Sequence, residues 1–462
     1  MRAVSKILAF AVLATAVAAA LIVSLRVGPA PQLRISPSAR AIGVHTSVVV
    51  TARAGGRGLA GLRVEVEQGG RTTVVAHAEQ RPRAPWAIWG AHEERREIQA
   101  EVGRGAVLTL RDGEATVRVI AARAATWLRH PDPVVVELKL AVRTTPPALS
   151  LVSAARDTAQ GGSGVVVYNV GDGAVRHGVR VGTWFFAGAA LPGGSGERAV
   201  LFGVPWDEPS AEHIRLVAED DAGNVSELAF VDRLVPRPPH DDRIELQDEF
   251  LGRVVGEIFA QTPGLQDRGG ALPNYLELNR ELRMRNAAEL VELSRRSAPR
   301  FLWQQPFQPL RGAKVMSAFA DRRTYLYQGR EVDRQTHLGF DLAATARAAV
   351  SAANTGTVLL ARYFGIYGNT VVIDHGFGLM TLYSHLSSIE VKEGQPVERG
   401  ALVGRTGRTG LAGGDHLHFT ALVGGLPVTP IEWWDPHWVR DRVAARLAPA
   451  VRFEGELTVA TK

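Results

Sequence analysis

The sequence predicts a mainly β protein behind a single N-terminal membrane helix. Three observations lead there. The first 25 residues hold one long apolar run. From about residue 32 to 235, short runs of alternating polarity are separated by turn residues. After one helical interruption, short strands and Gly turns resume from about Gly312 to Trp434. Alternation with period two marks a half-buried strand, because successive side chains face opposite sides.

The N-terminal run extends from Ile7 to Leu25 and is interrupted only by Thr15 and Ser24. As a helix it spans about 28 Å, close to the thickness of a bilayer core. Arg2 and Lys6 precede it and Arg26 alone follows closely, which favours a cytoplasmic N-terminus with the rest of the chain outside. A cleaved signal peptide is the competing reading, because Ala16-Val17-Ala18 and Ala18-Ala19-Ala20 resemble cleavage sites. Leu21-Ile22-Val23 would then begin the mature chain, so an uncleaved anchor over 1–28 is preferred. Both readings export the protein.

The strand-rich stretch divides near Thr144-Thr145-Pro146-Pro147. Before it lie "TSVVVTARA", "LRVEVEQGG", "AVLTLRDGEATVRVIA" and "VVVELKLAV"; after it lie "GSGVVVYNV", "GVRVGTWFF" and "HIRLVAEDDAGNVSELAFV". This spacing fits two immunoglobulin-like β-sandwich modules, 29–145 and 146–236. A Pro-rich stretch, "VPRPPHDD", ends the series. The period then changes. "RIELQDEFLGRVVGEIFAQ" and "LPNYLELNRELRMRNAAELVELSRRS" space apolar residues three and four apart, as amphipathic helices do, and predict a helical linker over 237–300. A final domain over 301–440 and a C-terminal tail over 441–462 complete the division. Tethered beside the final domain, the segment before residue 300 has a high effective concentration there and is expected to restrain access to any groove.

Composition narrows the functional classes. The apolar fraction is 46%, ordinary for globular chains. The net charge is +6, nearly all of it from arginine. The arginines are scattered rather than gathered into a stripe with aromatics, which argues against nucleic-acid binding. The chain has no cysteine, so disulfides and Cys-ligated zinc are excluded, and a metal site must use His, Asp or Glu.

Histidine placement is the informative feature. Five of the 13 histidines, His337, His375, His385, His416 and His418, fall between Gly312 and Trp434. In an extended strand His416 and His418 share one face, with Leu417 and Phe419 on the other. "THLGFDLAA" places His337 and Asp341 four residues apart, and Gly339 between them argues for a turn leading into a strand. Neutral imidazole and carboxylate are suitable zinc donors, and His418 as a third ligand would leave an open fourth position.

The segments "HLGFDLAA", "GNTVVIDHGFGLMTLYSHLSSIEVKEGQPVERGALVGRTGRTG" and "HLHF" occur in that order. They closely resemble the M23 zinc metallopeptidases, the lysostaphin and LytM-like cell-wall endopeptidases, over about residues 312–432. "SAFADRRTYLYQGREVDRQTHLGFD" is similar to the lead-in of members from diderm bacteria. The resemblance implies an antiparallel-β LytM-type fold for 301–440. It implies that His337, Asp341 and His418 bind one Zn2+ per chain and that His385 and His416 form the catalytic pair. His375, in "IDHG", receives no role, and the eight other histidines are isolated. Trp433 and Trp434 are expected to pack rather than to stack on substrate. Three positions depart from the family pattern: "ATARAAV" follows the aspartate, Asp415 precedes His416, and Thr420 follows "HLHF" where Glu is common. None removes a ligand.

The expected function is therefore zinc-dependent hydrolysis of peptidoglycan peptides, the D-alanyl to diaminopimelyl cross-link being favoured over a glycine bridge. The chain would be a single-pass inner-membrane protein with its bulk in the periplasm, its β modules available to an envelope protein partner. The alternative is a catalytically inactive M23-like protein that binds and activates another cell-wall hydrolase. Such regulators typically lose ligands, and here all five positions are filled.

Overall fold

The structure is a computed structural model that describes residues 2–87, 93–192, 196–238 and 240–459. The protein is mainly β. Its contacts divide it into two compact units, Met1–Pro147 with Asp172–Val175 and Ala218–Ser226, and the remainder.

The first unit opens with the helix Arg2–Leu25. Its stretch Val4–Leu25 has a mean hydropathy of 2.6 and is long enough to cross a bilayer. A β-sandwich follows. Three strands, Gln32–Pro37, Ser47–Gly55 and Glu93–Glu101, form one sheet. Arg71–Glu79, Leu59–Gln68, Gly113–Arg123 and Val134–Val142 form the other. The alternation in the sequence becomes alternation of burial. Val48, Val50 and Ala52 point inward from one sheet, and Val117, Val119 and Ala121 from the other.

In the second unit, Ala189–Ala190, Arg198–Gly203, Ser163–Val170 and Leu149–Ala154 make a four-stranded sheet. Its buried face, including Val165 and Val167, belongs to the same apolar core as the final domain. The two predicted helices are present, with one correction. Arg243–Glu245 is not helical: Asp241–Glu245 is a strand that pairs in parallel with Asp321–Tyr327. Ile244 joins the apolar cluster beneath the helices, so an extended edge buries it without a helical turn. The helices are Asp248–Gln261, then Ala271–Glu277 and Arg283–Ser294, the last two joined by a π turn at Leu278–Leu282. Leu251, Val254 and Ile258 make the buried stripe of the first, packed with Tyr275, Leu278, Tyr325 and Ile366.

The final domain is built on one large antiparallel sheet. Its order runs Lys314–Ser317, Phe340–Ala343, Leu417–Val423, Leu379–Leu386, Asn369–Gly376, Gly356–Tyr363 and Pro396–Val397, with Leu426–Val428 beside Leu417–Val423. The stretch beyond residue 440 is not a free tail. Val443, Ala444, Leu447 and Leu457 are buried in the common core. Trp433 is buried against Trp303 and Phe307, and Trp434 packs edge-on to Phe340 and tilted against Phe419, so both are packing residues.

Candidate metal centre

Strand register brings the five expected residues together. Asp341 and His418 are direct cross-strand partners on Phe340–Ala343 and Leu417–Val423. His337 closes the strand Arg330–His337, and the turn at Leu338-Gly339 carries the chain into the Asp341 strand. Gly339 is needed there: a Cβ would sit 2.5 Å from Cε1 of His418. His385 comes from Leu379–Leu386, next to the His418 strand. It adopts φ +61°, a strained left-handed conformation of the kind found at functional sites. His416 precedes the His418 strand by one residue and is held extended by a bridge to Gly407.

Three donor atoms converge. Nε2 of His337 lies 3.0 Å from Oδ1 of Asp341 and 3.0 Å from Nδ1 of His418, and Nδ1 of His418 lies 2.9 Å from the same oxygen. The second nitrogen of each imidazole is committed elsewhere. Nδ1 of His337 donates to the carbonyl of Ala318 at 2.9 Å. Thr420 Oγ1 donates to the carbonyl of Leu338, so it accepts from Nε2 of His418 at 3.0 Å. These partners leave both facing nitrogens as lone pairs, directed at each other and at a carboxylate oxygen. Lone pairs so placed repel unless a cation lies between them. Donors about 3 Å apart suit a small tetrahedral ion with bonds of about 2 Å, and the outer partners fix the tautomers as they do in metal sites generally. The donor set therefore fits a divalent metal.

Two residues that the sequence did not single out complete this arrangement. Arg323 donates from Nη2 to Oδ2 of Asp341 at 2.7 Å and to Ser317 Oγ at 2.9 Å, leaving Oδ1 free for a metal. Tyr367 lies over His418 at 5.8 Å between ring centroids. Burial works to protonate Asp341; with no cation between the donors a proton on His337 takes its place, and that charge and its bond, with the bonds of His416 and His418, hold the carboxylate well below its usual range.

His385 and His416 stand beside this centre, their rings 4.9 Å apart. Each ties Nδ1 to a backbone carbonyl, His385 to Thr409 at 2.7 Å and His416 to Gly414 at 2.9 Å. Each can therefore keep Nε2 as a lone pair; that of His416 lies 3.4 Å from Oδ1 of Asp341. Burial, with His416 and His418 nearby, pushes His385 well below the ordinary imidazole value. Burial also lowers His416, but the bond and charge of Asp341 outweigh it and raise the net value.

The other sequence features resolve as follows. His375 is fully buried, bonded to the carbonyl of Thr355 and to Thr381 Oγ1, both at 2.8 Å, and takes no part in the cluster. Asp415 does not act on His416; its carboxylate accepts from Thr406 Oγ1 and the amide of Arg347. Of the histidines read as isolated, His92 lies outside the described residues, while His240 stands 3.6 Å from both Asp242 and Asp321.

Residues 335–430 match the model of peptidase family M23, so the chain carries a C-terminal M23 peptidase domain, homologous to LytM-like peptidoglycan endopeptidases. Peptidoglycan DD-endopeptidase ShyA of Vibrio cholerae is 31% identical over 194 residues, 41% of this chain and 42% of that protein. The DD-carboxypeptidase/endopeptidase Mpg of Neisseria meningitidis is 41% identical over 95 residues, 21% of this chain and 22% of that protein. The chain thus spans less than half the length of these curated relatives. The catalytic domain of lysostaphin from Staphylococcus simulans aligns with a TM-score of 0.23 and 25% identity, covering 26% of this chain and 92% of that one.

Proposed function

We propose that the protein is a zinc-dependent endopeptidase that hydrolyses peptide cross-links or stems of peptidoglycan, with the D-alanyl–diaminopimelyl bond as the favoured target. The observation that carries this reading is the convergence of His337, Asp341 and His418 beside two further imidazoles with Nδ1 bound to backbone carbonyls. The names of the Vibrio and Neisseria relatives support the substrate class.

In this reading His337, Asp341 and His418 hold one zinc per chain. Zinc bound there supplies Lewis acidity toward the scissile carbonyl and toward a water. The chain's own groups do the rest. His385 and His416 exchange protons at Nε2, one accepting from the attacking water and the other donating to the oxyanion or to the leaving amine. The Thr409 and Gly414 carbonyls hold Nδ1–H of both rings, so the accepting ring starts neutral with a lone pair at Nε2 and the donating ring starts as the imidazolium. Arg323 keeps Asp341 oriented.

The domain division at 28, 145, 236 and 300 is retained as part of this proposal, with residues beyond 440 counted in the final domain, the protein anchored in the inner membrane and residues from Arg26 onward in the periplasm. The helix Val4–Leu25 and its basic N-terminal flank support that placement.

The test is digestion of purified sacculi by the purified full chain, with product masses and metal content measured on the same sample. We expect about one zinc per chain, conversion of cross-linked dimers to monomers, and loss of both on chelation. A zinc-loaded protein that leaves dimers uncut would replace this reading with the inactive, hydrolase-activating one.

A further inference from the structure

The helical segment builds part of the substrate cleft. Two cavities meet at the metal centre. One, of about 410 Å³, holds His385 and His416 and is roofed by Leu246, Phe250 and Tyr275. The other, of about 590 Å³, extends between Trp184 and Trp206 on one side and the helix Arg283–Ser294 on the other. Four residues line both: His337, His418, Tyr367 and Arg283. Three of them belong to the final domain. Arg283 comes from the helical segment and stands where the cavities join.

Arg283 is held in a way that leaves its charge uncompensated. Its Nε donates to the carbonyl of Asn279 at 3.1 Å and its Nη2 to Oδ1 of Asn279 at 2.6 Å. Asn279 sits on the π turn, fully buried, and its amide nitrogen donates to Asp333 at 2.9 Å. Asp333 is already neutralised by Arg280, at 2.9 Å. The neutral Asn279 therefore aims Arg283 without discharging it. Among the described residues no carboxylate forms an ion pair with Arg283. The other arginine in the first cavity, Arg323, is taken up by Asp341. A half-buried, pre-positioned guanidinium with free N–H groups is a receptor for a planar anion. π turns recur at functional sites because they redirect side chains in this manner.

We propose that Arg283 is a substrate-binding residue that recognises a free carboxylate of an acidic peptide lying through the two cavities, so that the chain selects peptides by charge next to the bond it cuts. This inference deepens the proposed function and rests on it for the identity of the peptide. The helical segment then orients substrate as well as standing over the groove.

The test compares a D-alanine-terminated stem tetrapeptide with free carboxylates and the same peptide with its carboxylates amidated. Binding of each to the full chain is measured by calorimetry, and turnover is measured on the corresponding cross-linked dimers. Wild-type protein should prefer the free acid by about 10- to 100-fold, the worth of one charge-assisted hydrogen-bond pair. Arg283→Gln should remove that preference, raising KM for the acidic dimer with little change in kcat and leaving the amidated peptide unaffected. Arg283→Lys should restore part of the preference, and zinc content reports that the variants are folded. Equal binding of both peptides by the wild type, or an equal loss on both in Arg283→Gln, would overturn the proposal. Discrimination in binding without any turnover would remove the endopeptidase reading and leave this one standing.

Discussion

Thr420 stands where family sequences commonly carry Glu, and its hydroxyl decides which nitrogen of His418 faces the metal centre. Thr420→Val deletes the acceptor while keeping the shape. We expect zinc affinity to fall about 10- to 100-fold, read by competition with a chelator, and Thr420→Ser to recover most of it. In the proposed function the five expected residues divide into metal holders and proton carriers, and substitution separates the two roles. His418→Ala should lose zinc. His385→Ala and His416→Ala should keep it while kcat falls by about 10² to 10⁴. His375→Ala is the matched control: it opens a buried polar cavity and should lower stability by about 1–3 kcal/mol with activity per folded molecule retained. Zinc retained at full occupancy in His418→Ala would refute the ligand assignment. Four of these five residues stood out because histidine is sparse and patterned here. Arg323 did not, and Thr420 stood out only as a departure from the family pattern, because both act through a ligand that strand register brings to them.

Among the elements, the short helix Pro430–Trp434 carries a buried acid. Glu432 accepts from the amide of Ser163 at 2.8 Å and from Ser163 Oγ at 3.3 Å, which ties the final domain to the strand Ser163–Val170. The residue as a whole is half-buried, but its carboxylate is enclosed, and burial pushes its pKa from 4.5 up to about 7. The sign follows from proton counting. Between about pH 4.5 and 7 the folded chain keeps a proton that the unfolded chain has released, so stability falls as pH rises through that window and is flat outside it. Glu432→Gln should abolish this part of the pH dependence, up to a ceiling of about 3 kcal/mol, read as the difference between wild-type and variant denaturation midpoints from pH 4 to 8. Parallel profiles would refute it. The π turn at Leu278–Leu282 is the matching case for an element invisible in sequence. The apolar spacing of "LPNYLELNRELRMRNAAELVELS" reads as one helix, and the turn with the extra residue holds Asn279 in its buried bond to Asp333.

For the whole molecule, the apolar helix and the helical segment set the arrangement to test. If Val4–Leu25 remains as an anchor, the full-length chain should sediment with membranes, resist carbonate extraction and be cleaved by protease from the outer side only. Release of a soluble form lacking the first twenty or so residues would instead establish a cleaved signal peptide. The notion that residues before 300 restrain the groove is tested by comparing the full chain with a version in which the segment is cut by an inserted protease site after Pro239. A rise in turnover on a soluble dimer supports restraint, whereas a fall shows that the helices are a needed wall of the cleft.

By itself the sequence determined the β character of the chain, its apolar N-terminal helix, the helical interruption and the five residues of the candidate site. The first three rest on local physics, side-chain period and apolar length; the five site residues rest on histidine placement together with the resemblance to the M23 motifs, which set His385 apart from His375. Tertiary structure decided what depends on distant parts of the chain meeting. It set the tautomer of each imidazole through Ala318, Thr409, Gly414 and Thr420. It turned Asp241–Glu245 into a strand by offering it an unpaired edge, and it drew residues beyond 440 into the common core because their apolar side chains found a face to cover. It also placed Arg283 at the junction of two cavities. No spacing rule foretells that last fact, since the helix and the metal centre meet only through tertiary contacts, among them the bonds of Asn279 and Arg280 to Asp333.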